Sequence, residues 1–599
     1  IGDYAMYYNT TGSNNSGYGF AALYSNTSGF SNVALGRNAL NSNTTRSNLV
    51  AVGDSSLYKN GMGATLAVHA TANTALGSKA LYGNTTGYSN TAAGYRALYT
   101  NTTGYHNTAN GESALYSNTS GWNNLASGKN ALYANTTGNE NNAFGVSTLG
   151  ANTTGSNNSA YGAGALTSNI TGNNNTANGY NTLVSNTTGF SNTAIGIKAL
   201  YSNTSRSNLV AVGDSSLFNN GVGATLAIHG TANTGIGSKA LYGNTTGYHN
   251  TAAGYRALYT NTTGGDNIAM GGEALYLNTS GNSNTAIGRQ VLYSNTGGSV
   301  NTAVGAGAAY LNSTGSDNTS IGGNALYSNV SGGNNTALGR FALYLNTASN
   351  NTAVGRNALY PNSSGAENTA VGVSALGTNT IGNNNTALGA SADVTANNLS
   401  NTTVIGRGAS VNVSNKVRIG DANVTVIEGQ MDWTFPSDTR FKFNVHDDRV
   451  PGLAFINKLR PVSYQFDTRK FDLHLMQNMP DSIRQRRMGG QDYSESSARV
   501  QTGFLAQEVE QACKELDFEF SGLHVPVSEV DNYGLAYGSF VPLLVKGIQE
   551  QQAEIGNLKL EIQAQQAENA ALKSSLAAQA AQLQKIAACL QDAGMMVEK

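Results

Sequence analysis

The 599-residue chain is poor in sulfur, proline and charge, and each shortage excludes something. Cys513 and Cys589 are its only cysteines, and two thiols make neither a disulfide framework nor a structural zinc site. Six of the seven prolines fall at Pro436 or later. Charge is equally lopsided: 28 of the 67 Asp, Glu, Lys and Arg residues lie in residues 1–430, and 39 crowd into the last 169. Net charge is −1 and neither half has a basic stripe, which argues against nucleic acid as a partner. The first 430 residues hold only 12 acidic side chains, with no recurring carboxylate pair for glycosidic chemistry. No apolar run approaches the roughly 18 residues that cross a bilayer, so no transmembrane segment is expected. His69, His106, His229 and His249 follow no metal-ligand spacing, and neither a metal nor a cofactor is expected.

What fills the first 430 residues is Gly, Asn, Thr, Ser and Ala in a repeat. Asn73, Asn90, Asn107, Asn124, Asn141, Asn158, Asn175 and Asn192 recur every 17 residues, as do Asn233, Asn250, Asn267, Asn284, Asn301, Asn318 and Asn335. The consensus is N-T-A-(V/I/L)-G-x-x-A-L-Y-x-N-T-(T/S)-G-x-x. A larger duplication overlies it: SNLVAVGDSSLYKNGMGATLAVHATANT (47–74) returns as SNLVAVGDSSLFNNGVGATLAIHGTANT (207–234), carrying the same lengthened coil. Seventeen residues are too few for two helices, and Gly, Asn and Thr form helices poorly. The period therefore predicts a mainly β chain, a parallel β-solenoid of the β-roll or β-helix kind. T-A-V would be one short strand with its apolar residue inward, and A-L-Y a second. Gly and Asn would turn the corners. About 24 coils at about 4.8 Å give a rod on the order of 115 Å, with columns of Asn amides and stacked Tyr rings. One coil buries too little to stand alone, so stacking closes the core and oligomerisation is expected. The many N-x-T/S triplets sit at corners and read as turns. The phrase Asn192-Thr193-Ala194-Ile195-Gly196 resembles the head repeats of trimeric autotransporter adhesins, which form trimers of parallel β-rolls.

Near residue 430 the composition becomes that of a globular and helical protein. The expected divisions are a solenoid over 1–410, neck or cap strands over 411–434, a small α+β domain over 435–545 and a coiled coil over 546–599. Ile548, Ile555, Ile562, Asn569, Leu576, Leu583 and Leu590 are seven apart, with Leu558, Gln565, Leu572, Gln579 and Ile586 between them. That spacing is an a/d seam whose polar members fix register.

Ser437-Asp438-Thr439-Arg440-Phe441-Lys442, followed by KLRPVSYQFD (458–467), GFLAQEVEQ (503–511) and YGLAYGSFVPLLVKGIQEQQ (533–552), resembles the intramolecular chaperone domain of endosialidase-type tail spikes and fibres. Residues 468–500 read as a mobile insertion. The resemblance implies a domain that drives trimerisation of the β-structured fibre before it, and a self-cleaving Ser/Lys dyad. Ser437 would be the nucleophile, Lys442 its general base, and Pro436–Ser437 the scissile bond. A spacing of five meets on neither a regular helix nor a strand, so a turn or a neighbouring subunit must bring the two together. The expected protein is a homotrimeric extracellular adhesive fibre, on a cell surface or a virion, whose partners are its own copies and surface glycans. The alternative is a phage tail spike or fibre with a receptor-binding or glycan-processing role.

Overall fold

The structure is a computed structural model describing residues 1–430, 433–489 and 491–594. It divides into two compact units, Ile1–Ile419 and Gly420–Lys599.

The first unit is the solenoid. Strands recur once per coil, from Ser16–Tyr18 to Val417–Ile419, and pair in parallel into one 24-stranded sheet. Register follows the repeat: Thr176, Ala177 and Asn178 face Thr193, Ala194 and Ile195. The period-2 pleat turns the central residue inward, and Ala194 is fully buried. The flanking residues turn outward, so Ile195 is 41% exposed. The aliphatic residue expected inside therefore lies outside. The inner wall is Ala in most coils, with Gly235, Ser320 and Val404 taking its place in others.

The A-L-Y segment is not a second strand. It is a chain of turns in which Leu200 takes φ 51° and Leu115 φ 52°. Left-handed backbone costs an ordinary residue about 1–2 kcal/mol, and full burial of a leucine returns about 1.5–3 kcal/mol. Leu200 is completely buried, so the packing offsets the strain. Gly196 serves the same tight path: at φ +127°, an added Cβ would lie 2.5 Å from the Gly213 carbonyl oxygen.

Asparagine completes the core. Asn118 Nδ2 donates to Asn101 Oδ1 at 2.8 Å and to the Gly121 carbonyl at 3.0 Å. In a second column Asn107 Oδ1 accepts from both the backbone N–H and the side-chain amide of Asn124, at 3.0 and 3.1 Å. Buried amides are costly unless paired, and here the coil above supplies the partner. Tyrosines stack outside the Leu column, with Tyr276 and Tyr293 centroids 5.0 Å apart and rings 5° from parallel. In the two lengthened coils Val50 still faces Thr74 and Val210 faces Thr234. The extra residues leave as a loop that Arg46 ties down through the carbonyls of Ala64 and Leu66. His69 Nδ1 accepts from the Thr65 and Leu66 amides, so this histidine pins a loop.

The second unit packs a small aromatic core of Phe455, Phe520, Phe540, Val509 and Leu543. An antiparallel pair, Val462–Gln465 with Val500–Gly503, and the helix Ala506–Glu515 surround it. The region read as a mobile insertion contains the helices Thr468–Leu475, Asp481–Met488 and Ser494–Ala498. Tyr493 Oη, donating to Asp472 at 2.9 Å, ties the third back to the first. The last described element is a 52-residue helix, Val541–Asp592. Its first turns dock on the core through buried Leu543, while its a/d seam is open: Leu576 is 68% exposed.

Candidate functional site

Ser437 and Lys442 are brought together by a single turn. Asp438 caps it, its Oδ1 accepting from the Arg440 amide at 2.9 Å. Thr439–Phe441 then form one turn of 3-10 helix, closed by Phe441 N–H donating to Asp438 O at 3.1 Å and Lys442 N–H to Thr439 O at 3.2 Å. A capping Asp is favoured at such a start because its carboxylate satisfies an orphan amide. The tight rise returns the chain, and Lys442 Nζ donates to Ser437 Oγ at 2.7 Å. Of the two routes left open by the spacing, the turn within one chain suffices.

The neighbouring charges cancel each other. Arg440 donates to Asp438 Oδ2 through Nε at 2.9 Å and Nη2 at 2.5 Å. This hydrogen bonding to the guanidinium holds the Asp438 carboxyl below the usual aspartate range. Neither charge is therefore aimed at the Ser–Lys contact. His446 lies 3.7 Å from Asp448 and makes an ion pair there only when protonated.

The segment around the pair is apolar and open. Phe435 is 86% exposed and Phe443 85%, and Trp433, Phe441 and Val445 are exposed as well. Sequence reading passed over this strip, although the apolar alternation of Phe441, Phe443 and Val445 with Lys442 and Asn444 was there to see. A hydroxyl hydrogen-bonded to an amine can be turned into a nucleophile once the amine is neutral, a form that exclusion of water or a neighbouring cation favours.

A second polar cluster holds the loop between the two short strands Leu523–His524 and Gly534–Leu535. Burial alone would raise the Asp531 carboxyl, but the backbone amides of Asn532 and Val527 and the His524 ring outweigh it and hold it low. His524 Nε2 meets Asp531 Oδ2 at 2.7 Å. Among the described residues no group of three or more His, Cys, Asp or Glu could hold a metal ion, and no helix is long and apolar enough to cross a membrane.

No curated protein matches the chain. Residues 437–517 match the family described as the chaperone of endosialidase, so the unit that follows the solenoid carries a domain of that family, and its first matched residue is Ser437.

Proposed function

We propose that the protein is an extracellular adhesive fibre that assembles as a homotrimer, with the C-terminal domain aligning three chains before their solenoids zip. The observation that carries this reading is the unpartnered a/d seam of the 52-residue helix, with Leu558, Leu572, Leu576 and Leu583 open along it. Such a seam is stable in water only against other helices. The outward aliphatic column of the solenoid, including Ile195, Ile236, Ile287 and Ile321, supports the same assembly, with neighbouring copies covering it. So do the exposed aromatics around Ser437. Near-identical coils allow many registers, and a slip of one coil costs little. A C-terminal clamp removes that freedom before long-range pairing begins. The outer surface of the trimer would then meet surface glycans.

In this reading Ser437 acts once on its own chain. Its Oγ attacks the Pro436 carbonyl carbon while Lys442 takes the hydroxyl proton. The Pro436–Ser437 C–N bond breaks as a proton passes to the Ser437 nitrogen, leaving an ester on the hydroxyl. Water hydrolyses that ester, giving a carboxylate at Pro436 and a free serine. Closure of three copies over the dyad supplies the water exclusion that favours a neutral amine. Denaturing gels of wild type, Ser437→Ala and Lys442→Met test the step. A fragment ending at residue 436 should appear in wild type alone; a full-length wild-type chain after trimer formation rules the cleavage out.

A further inference from the structure

Along the solenoid the residues after each repeat glycine form a surface column beside the stacked tyrosines. At one place that column collapses to Ala306, Gly307 and Gly323, opening a groove of about 360 Å³. This lies at the small end of the roughly 300–1,000 Å³ typical of ligand sites. Arg289 and Gln290 form one wall, and Gly307, Tyr310, Asn324 and Tyr327 continue it along the groove. Gly307 leaves that space to Asn324, whose Oδ1 lies 2.2 Å from where an added Cβ would stand.

The internal duplication supplies a built-in comparison. By the correspondence of 47–74 with 207–234, Glu112, Lys129, Val146, Gly150 and Thr167 occupy the positions of Gly272, Arg289, Ala306, Tyr310 and Tyr327. In the first copy Lys129 is paired with Glu112 at 3.1 Å. In the second, glycine replaces that glutamate, and Arg289 has no carboxylate partner among the described residues. The same coils gained two tyrosines and lost a valine. The carboxylate has thus moved one position, to Glu273 in place of Ser113, where Gln290 donates to it, and Arg289 stands outside that contact above a hydroxyl-rich cleft.

The tyrosines are stacked face to face, Tyr310 on Tyr327 and Tyr327 on Tyr344, each at 5.1 Å. Their faces are occupied, so they offer edges and hydroxyls, which suit a ligand with many in-plane hydroxyls better than a flat aromatic ring. Gln290 Nε2 donates to Glu273 at 2.9 Å, which engages the neighbouring carboxylate and leaves the amide oxygen to accept. We propose that this groove is a binding subsite for a carboxylate-bearing sugar residue, whose carboxylate pairs with Arg289 and whose hydroxyls bond to Gln290, Asn324 and the tyrosine hydroxyls. Guanidinium and carboxylate meet bidentately with good geometry. The inference rests on the adhesive reading above and gives it an address and a ligand class.

The test is titration calorimetry of the purified full chain with a glucuronate-containing disaccharide and its neutral glucose counterpart. Wild type should bind the acidic probe about tenfold more tightly than the neutral one. The key variant is Gly272→Glu, which restores the carboxylate of the first copy. An added Cβ there meets nothing within 4 Å, so the fold should tolerate it. It and Arg289→Ala should each weaken the acidic probe about tenfold while leaving the neutral probe unchanged. Tyr310→Gly with Tyr327→Thr should weaken both probes. Absence of saturable binding by wild type, or binding indifferent to Gly272→Glu and Arg289→Ala, overturns the subsite. Sedimentation of the same samples separates the two readings: a trimer that binds nothing sinks the subsite alone, and a monomer that binds selectively sinks the trimeric fibre alone.

Discussion

At the residue scale the solenoid depends on side chains that sequence rules assign elsewhere. Asparagine is a turn residue by habit, yet Asn118 is fully buried because its neighbours in the stack satisfy it. Asn118→Ala would remove its donations to Asn101 and Gly121 and leave Asn135 Nδ2, which donates to Asn118 Oδ1 at 2.8 Å, short of one acceptor. An orphaned buried group costs about 1–3 kcal/mol. In a stack each coil contacts only its neighbours, so the damage should stay local. Hydrogen exchange should quicken over roughly residues 101–138 and stay unchanged near residue 300; uniform acceleration would show that the rod melts as one unit. The Asn columns were legible in the sequence because identical residues at a fixed period must align. The left-handed leucines were not. Nothing in A-L-Y announces φ near 50°, since the conformation is imposed by the turn needed to point Leu200 inward. The outward placement of Ile195 escaped for a related reason. An apolar residue reads as core by default, and only the pleat, with Ala194 taking the inside, reverses that.

At the element scale two short pieces hold the polar clusters of the C-terminal unit. The Ser437–Lys442 contact was legible as a pair of residues but not as a geometry. A spacing of five closes only because Asp438 caps a 3-10 turn, and capping strength does not reveal turn type. The loop held by Asp531 gives a pH prediction. Its carboxyl is held low in the folded state, so it contributes stability that is present above the ordinary aspartate value and lost as pH falls through the lower folded one. The C-terminal unit should therefore melt at lower temperature once pH drops below about 4. Asp531→Asn should cost about 1–3 kcal/mol at neutral pH and flatten that acid dependence; an unchanged acid slope would assign it to other carboxylates. The long helix is the third element. Its heptads were plain in the sequence, and the structure leaves them unpartnered along most of their length. Leu576→Asp with Leu583→Asp should abolish association while preserving the fold around Phe455. A variant that still associates would place the assembly contacts elsewhere.

At the scale of the whole molecule, the division of labour follows from the physics of repetition. A stack of nearly equal coils is stable once begun, but it does not specify which coil of one chain meets which coil of another. The two lengthened coils and two shortened ones, between Thr336 and Thr352 and between Thr403 and Val417, break the periodicity at only four places. The proposed C-terminal clamp, bringing three chains level before zipping, would resolve the ambiguity, and a cut at Pro436–Ser437 would leave the zipped fibre kinetically locked without its clamp. The sequence disclosed the solenoid, the change of composition near residue 430 and the family resemblance, because each is written in period or motif. It concealed the exposed aromatic strip and the groove beside Arg289, because both depend on what neighbouring coils and turns leave uncovered. The most direct test of the clamp is sedimentation after refolding from denaturant, comparing the full chain with one lacking residues 437–599. The full chain should recover as a species of three times the chain mass, and the shortened chain as monomers and irregular aggregates. Equal recovery of discrete trimers from both would contradict the central claim.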